Sequence, residues 1–155
     1  MTPAINAAKK AKISYLLHEY THEPAEESYG LEAAHKLGIA EKRIFKTLVI
    51  DSGINDLVVG IVPVSSRLSM KLLAKSVGAK KATMAAAIEV ERSTGYVLGG
   101  VSPLGQKKKL KTVIDSSALD YATIFVSAGR RGLEIELAPN DLLTLTNAVF
   151  ANICQ

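Results

Sequence analysis

The stretches IFKTLVI at residues 44–50 and LVVGIVPV at residues 57–64 are two runs of apolar and branched residues. Each run has the length and composition of one β-strand. The six residues between them, DSGIND at 51–56, are of the types that form turns. The sequence therefore predicts two strands joined by a turn, and with them a β-sheet.

Helices and further strands are expected on both sides of this pair. Helices are predicted from Pro3 to about Lys10, over 31–37, 70–77 and 85–92, and after the Pro139–Asp141 start signal. The last helix is expected to carry Leu142, Leu143, Leu145, Val149 and Phe150. Further strands are predicted over 13–20, 112–114, 123–127 and 133–137. Since strands and helices do not alternate strictly, we expect an α/β fold with a mixed, curled, barrel-like β-sheet and surrounding helices.

The size and composition of the chain are those of one ordinary globular domain. It has 155 residues, of which 48% are hydrophobic and 22% charged. We therefore expect a single domain over residues 1–155. No apolar run is long enough to span a bilayer, and the first residues lack the pattern of a secretory signal. With Cys154 as the one cysteine, no intrachain disulfide can form, and the expected location is the cytoplasm.

Two basic clusters stand out against a modest net charge of +4. Lys107, Lys108, Lys109 and Lys111 form one cluster, and Arg130 with Arg131 forms the other. Either cluster has the charge to contact phosphates. The alternative for both is an ordinary solvated face.

Familiar catalytic and metal-binding motifs are missing from the sequence. There is no Gly-x-Ser-x-Gly elbow and no phosphate-binding loop of the Walker type. His18, His22 and His35 have no partner at metal-ligand spacing, and Cys154 lies at the chain end. We therefore expect no metal, no cofactor and no cysteine nucleophile.

Lys46 is the most conspicuous residue because it lies within a strongly apolar strand. Strand alternation would put Lys46, Leu48 and Ile50 on one face. A lysine on a half-buried face either snorkels to solvent, pairs with an acid or lines a cavity. Two interpretations stay open: a snorkelling lysine at a sheet edge, or an ammonium that grips a phosphate or a carbonyl oxygen in a cleft.

Two glycine-containing segments are expected to be irregular. They are GGVSPLG at 99–105 and SAGRRG at 127–132. Glycine allows a ligand to approach the backbone closely, and exposed N–H groups can hold an anion or an oxyanion. The alternative is that both segments are simply turns that the chain requires.

Taken together, these segments resemble a known family. The segments FKTLV at 45–49, RSTGYVLGGVSPLGQKK at 92–108 and VSAGRRGLEIEL at 126–137 are similar to the YbaK/EbsC family, in its free-standing Cys-tRNA(Pro) deacylase branch. A related domain is the editing insertion of prolyl-tRNA synthetase. The resemblance implies a curled mixed sheet, no metal, and a cleft for the aminoacylated 3′ end of tRNA. It also implies prolyl-tRNA synthetase as a partner.

The resemblance implies roles for individual residues. The catalytic positions are Lys46, Gly99 and Gly100. The substrate-binding positions are Tyr20, Val101, Ser102, Pro103, Ser127, Gly129 and Glu134. Glu134 stands where aspartate is common in the family, so its role is the least defined.

The family resemblance also implies a mechanism without a catalytic triad. The thiol of the substrate cysteine attacks its own ester carbonyl and releases a thiolactone and free tRNA. Lys46 would hold the terminal phosphate or the carbonyl region, backbone N–H groups over 99–101 and near Ser127 would polarise the ester, and Tyr20 would close the pocket. The alternatives are an Ala-tRNA(Pro) hydrolase of the same fold, a non-catalytic module that binds tRNA or a synthetase, and a small-molecule-binding regulator.

Overall fold

A computed structural model describes residues 1–23, 28–53 and 56–155 of the chain. The helices in these residues are α1 Pro3–Ala11, α2 Tyr29–Leu37, α3 Met70–Val77, α4 Ala87–Thr94 and α5 Pro139–Thr146. The strands are β1 Tyr15–Glu19, β2 Phe45–Asp51, β3 Leu57–Pro63, β4 Thr83–Met84, β5 Lys111–Asp115, β6 Ile124–Arg130, β7 Leu133–Leu137 and β8 Val149–Ala151. Ile54 and Asn55, in the turn predicted at 51–56, lie outside the described residues.

The strands form two sheets. One is antiparallel with the order β1-β7-β6, and the other has the order β4-β2-β3-β5-β8. The five-stranded sheet is mixed, as predicted, because β3–β5 and β5–β8 are parallel while β2 pairs antiparallel with β3 and β4. The two sheets meet at a parallel bridge between Ile44 and Phe125.

The predicted barrel-like curl of one sheet is wrong. In the part of the chain that the structure describes, neither sheet closes or curls into a barrel. A barrel needs a continuous ladder of paired strands around its circumference. Here the ladder is interrupted, because the pairing of β2 with β6 does not continue beyond the bridge at Ile44 and Phe125.

Local capping signals fix the helix ends. The Thr2 hydroxyl accepts a hydrogen bond from the Ile5 N–H at 3.2 Å and so starts α1. The Ser69 hydroxyl accepts from the Leu72 N–H at 3.1 Å, and Gly78, at φ +73°, ends α3 in the left-handed conformation. The predicted bounds of α3, 70–77, are therefore confirmed. No helix in the described ranges is long and apolar enough to cross a membrane.

The C-terminal helix is shorter than predicted. Helix α5 ends at Thr146, and Asn147 takes the left-handed conformation at φ 52°. Val149 and Phe150 then lie in β8, which pairs in parallel with β5. The apolar residues from Leu142 to Phe150 had predicted one continuous helix, but the last of them form a strand because they pair with β5. The two-residue strand β4 was not predicted either.

Strand β2 separates two apolar clusters. Phe45 and Val49 pack into the larger cluster, and Leu48 and Ile50 pack into the second. This alternation confirms that Leu48 and Ile50 share one face of the strand. Lys46 lies on that face by the same alternation and is half-buried.

Candidate functional site

A cavity of about 470 Å³ lies where β2 and β6 diverge after the Ile44–Phe125 bridge. This volume is in the range of small-molecule sites. Its walls come from the start of β2, the start of α2, the turn before Val101 and the β6–β7 hairpin. The lining residues are Tyr20, Ser28, Tyr29, Gly30, Ile44, Phe45, Lys46, Thr47, Leu48, Val64, Leu98, Gly99, Val101, Ser127, Arg130, Arg131 and Glu134.

The structure brings six of the ten predicted site residues into this cavity: Lys46, Gly99, Tyr20, Val101, Ser127 and Glu134. They come from positions far apart in the chain, which the predicted strand and loop assignments alone could not bring together. Their roles in binding or chemistry stay predictions.

The other four predicted residues, Gly100, Ser102, Pro103 and Gly129, are not among the lining residues. A Cβ on Gly100 would lie 2.9 Å from the Cα of Arg130, so Gly100 packs against the backbone of β6. Ser102 is fully buried and accepts a hydrogen bond from the Leu104 N–H at 3.2 Å. A Cβ on Gly129 would lie 2.9 Å from the Tyr96 ring. The observed contacts of Gly100, Ser102 and Gly129 are therefore packing and hydrogen bonds within the protein.

Lys46 lines the cavity as a half-buried cation. No carboxylate lies within ion-pair distance of it in the described residues. Burial lowers the pKa of Lys46 below its ordinary value; Cys154 opposes this effect and Arg67 adds to it. Lys46 therefore lies in a cleft, as one of the two interpretations from the sequence requires, and its grip on a phosphate or a carbonyl oxygen stays a prediction.

Glu134 places a carboxyl group in the same cavity. It is only 7% exposed, faces Ser127 across the β6–β7 pair, and has no hydrogen-bond or ion-pair partner within the described residues. Burial raises the pKa of Glu134 to about 8. The pKa of Tyr20 is raised to about 12, first by burial and then by the charge of Glu134. The cavity is therefore lined by a carboxyl residue whose pKa lies close to neutral pH.

The turn at 97–100 contributes Leu98 and Gly99 to the lining of the cavity. The Gly100 N–H donates to the Val97 carbonyl at 3.0 Å, and Gly99, at φ +93°, occupies the turn position that favours glycine. The Gly100 N–H is therefore occupied, and the oxyanion contact predicted there is not available from it. The N–H groups of Gly99 and Val101 have no intramolecular acceptor within the described residues.

A cluster that links two lining residues, Tyr29 and Arg131, to Glu32 of α2 was not predicted from the sequence. The Arg131 guanidinium lies 3.7 Å from the centre of the Tyr29 ring, and its Nε lies 3.4 Å from Oε1 of the fully buried Glu32. Glu32 also accepts from the Glu23 N–H at 2.7 Å and contacts His22 Nδ1 at 2.9 Å. Burial alone would raise the pKa of Glu32, but these hydrogen bonds and charges lower it below its ordinary value. The sequence signal that could have indicated this cluster is Glu32, a charged residue on the buried face of α2.

The predicted lysine cluster is divided in the structure. The Lys111 ammonium donates to the Val77 carbonyl at the end of α3, at 3.5 Å. Lys107 lays its aliphatic chain beside Gly95, where a Cβ would lie 3.2 Å from its Cγ. Lys107, Lys108 and Lys109 are exposed. Contact with phosphates stays a prediction for these three.

Comparison with known proteins defines the class. The aminoacyl-tRNA editing domain matches residues 22–145, and the chain belongs to this family. It is 42% identical over 153 residues to the Enterococcus faecalis protein EbsC, named as a candidate Cys-tRNA(Pro)/Cys-tRNA(Cys) deacylase, covering 98% of this chain and 92% of that protein. The resemblance to the YbaK/EbsC family is thereby confirmed.

Two further relatives agree with this class. The Escherichia coli K12 multifunctional Ser/Thr-tRNA deacylase ProXp-y is 28% identical over 102 residues, which are 65% of this chain and 61% of that protein. A crystal structure described as a candidate trans-editing enzyme for prolyl-tRNA synthetase aligns with a TM-score of 0.82 at 25% identity. That alignment covers 100% of this chain and 99% of the other.

Proposed function

We propose that this protein removes wrongly attached amino acids from tRNA, with Cys-tRNA(Pro) as its substrate. One observation carries the proposal: Lys46, the buried Glu134, Gly99 and Val101 line a single cavity, and the N–H groups of Gly99 and Val101 have no intramolecular acceptor within the described residues. These are the groups needed to hold an aminoacyl ester and to stabilise an oxyanion. The 42% identity to EbsC supports cysteine as the amino acid.

The cavity favours a nucleophile supplied from outside the protein. Among its described lining residues there is no histidine or cysteine that could activate or replace a serine. Cys154 lies near Lys46, but its pKa is raised to about 11, first by burial and then by Asp115. Its thiol is therefore protonated at neutral pH.

In the proposed reaction the substrate thiol attacks its own ester carbonyl. The C–S bond forms as the ester C–O bond breaks, and the thiol proton passes to the 3′-oxygen of the tRNA. Glu134 is the proposed carrier of that proton, because its pKa of about 8 is close to that of an ordinary thiol, ~8.5. The N–H groups of Gly99 and Val101 stabilise the oxyanion, and Lys46 holds the terminal phosphate or the carbonyl region.

Three charged tRNAs distinguish thiol attack from attack by water. We expect rapid deacylation of Cys-tRNA(Pro), and slow deacylation of both Ala-tRNA(Pro) and tRNA(Pro) charged with S-methylcysteine. Methylation blocks the thiol while it keeps the side chain. Comparable deacylation rates for all three charged tRNAs would contradict thiol attack and indicate a hydrolase. If none of the three charged tRNAs is deacylated, the proposed enzymatic activity is contradicted, and a tRNA-binding or synthetase-binding module is favoured.

Recognition of the whole tRNA is proposed to depend on a second protein. A net charge of +4 provides little attraction for a polyanion. The structural relative described as a candidate trans-editing enzyme for prolyl-tRNA synthetase supports that synthetase as the partner. Action on charged tRNA would place the protein in the cytoplasm. Addition of the synthetase should then lower the KM for Cys-tRNA(Pro), measured by deacylation at fixed salt. An unchanged KM would contradict the partnership.

A further inference from the structure

Leu98 is an exposed leucine at the mouth of the cavity. It lines the cavity, and 56% of its surface is exposed. The ionisable lining residues Lys46 and Glu134 are much less accessible, since Lys46 is half-buried and Glu134 is buried. The other exposed residues among the described lining residues are Tyr29 and Arg130. Leu98 is therefore the aliphatic side chain that a ligand meets at the entrance.

The turn that carries Leu98 is packed against its neighbours on two sides. A Cβ on Gly99 would lie 2.8 Å from Cζ of Tyr29, and one on Gly100 would lie 2.9 Å from the Cα of Arg130. The glycines therefore contact two other parts of the cavity wall. These contacts hold Leu98 at the mouth, while its own side chain stays accessible to a ligand.

The Tyr29 ring, the other exposed apolar group at the mouth, is already in contact with the protein. The Arg131 guanidinium lies over it, 3.7 Å from the ring centre. A Cβ on Gly99 would lie 2.8 Å from Cζ and 3.1 Å from each Cε of the same ring. With both groups packed on Tyr29, stacking of a flat ligand on this ring is obstructed. The accessible apolar surface at the mouth is that of Leu98.

The proposed substrate carries a flat group that suits this surface. A charged tRNA holds its amino acid and its terminal base on one ribose, so a bound ester brings the base within one sugar ring of the groups that hold the ester. Lys46 and Glu134 suit the polar ester, whereas a base presents flat faces that pack on apolar side chains. Since the tRNA body stays outside the cavity, the base lies nearer the mouth than the ester does.

We propose that the base of the terminal adenosine packs on Leu98 at the mouth of the cavity. This proposal deepens the proposed function and rests on it. Leu98 is then a substrate-binding residue that the resemblance did not imply. Its neighbour Val97 is 62% exposed in the same turn but is not among the lining residues, so Val97 provides a matched control.

Two uncleavable probes test this contact apart from the chemistry. One is 3′-cysteinylamino-3′-deoxyadenosine, and the other is the same ribose amide with hydrogen in place of the base. Neither carries a phosphate. By calorimetric titration the wild type is expected to bind the adenosine probe roughly tenfold more tightly, as burial of about 50 Å² of apolar surface provides.

Variants of the turn assign this preference to one side chain. Leu98→Ser should bind the two probes with nearly equal affinity, with its affinity for the base-free probe unchanged. Val97→Ser should keep the tenfold preference, and Leu98→Met should keep it because an apolar side chain of similar size remains. Melting temperatures should match the wild type in all three variants, since both side chains are exposed.

The outcomes separate this proposal from the function on which it rests. If the wild type binds both probes alike or binds neither, or if Leu98→Ser keeps the preference, the proposal is overturned, whatever deacylation shows. Weaker binding of both probes by Leu98→Ser would also overturn it, because Leu98 would then shape the turn instead. If the preference depends on Leu98 as expected but no charged tRNA is deacylated, the base site stands and the deacylase does not.

Discussion

At the scale of the residue, Glu134 combines a stability cost with a proposed chemical use. Its pKa rises from 4.5 to about 8 on folding because of burial. An acid with a higher pKa in the folded state binds a proton there that the unfolded chain has released, so stability falls as the pH rises from about 4.5 to 8. A folded-state pKa that is higher by one corresponds to about 1.4 kcal/mol of unfolding free energy.

Glu134→Gln is therefore expected to stabilise the protein at pH 8 relative to the wild type, and to do so much less at pH 5. The free energy of unfolding, measured with urea at both pH values, checks this difference. Deacylation by the wild type should rise between pH 6 and 8 as Glu134 ionises, and Glu134→Gln should be slower and lack this rise because the proposed proton carrier is gone. If the difference in unfolding free energy between Glu134→Gln and the wild type is the same at both pH values, Glu134 is ionised in the folded state and its pKa is not raised.

At the scale of the element, the turn at 97–100 and the start of α2 form one unit of the cavity wall. A Cβ on Gly99 would lie 2.8 Å from Cζ of Tyr29, and the φ of Gly99 is +93°. Gly99→Ala should thus cost about 1–3 kcal/mol of stability, and part of that cost should vanish in a Tyr29→Ala background. Gly38, at φ +66° with nothing within 4 Å of a Cβ, is the matched control.

A double-mutant cycle by urea unfolding measures this coupling. Gly38→Ala should cost roughly 1 kcal/mol from backbone strain alone and show no coupling to Tyr29→Ala. Equal coupling for Gly38 and Gly99, or none for Gly99, would refute the contact between the turn and α2. Deacylation should fall in Gly99→Ala only, because the N–H groups of the turn would move.

Local signals account for what the sequence could predict at this scale. Helix α3 was predicted within its observed bounds because its residues show helical spacing and Gly78 marks its end; the structure adds Ser69 as the cap at its start. The separation of two sheets was not predicted, because it depends on how Ile44 meets Phe125, far along the chain. The ion pair between Glu32 and Arg131 was not predicted for the same reason, because it joins residues far apart in the chain that no sequence periodicity relates.

At the scale of the whole molecule, the charge distribution predicts weak binding of the tRNA body. Replacing Lys107, Lys108 and Lys109 with alanine should reduce the slope of log affinity against log salt by about 0.7–0.9 for each phosphate that is no longer neutralised. Fluorescence titration of labelled tRNA over a salt series checks the slope. Lys71→Ala, on the exposed face of α3, is the control. An unchanged slope in the triple variant would mean an ordinary solvated face.

The most direct test of the account is the rate at which purified Cys-tRNA(Pro) is deacylated by the wild type, Lys46→Ala and the control Lys71→Ala. We expect Lys46→Ala to fold normally but to deacylate Cys-tRNA(Pro) ~10²-fold more slowly, the usual cost of removing one charge or oxyanion interaction. Lys71→Ala should match the wild type. Full activity of Lys46→Ala would contradict the central role of Lys46 in the cavity.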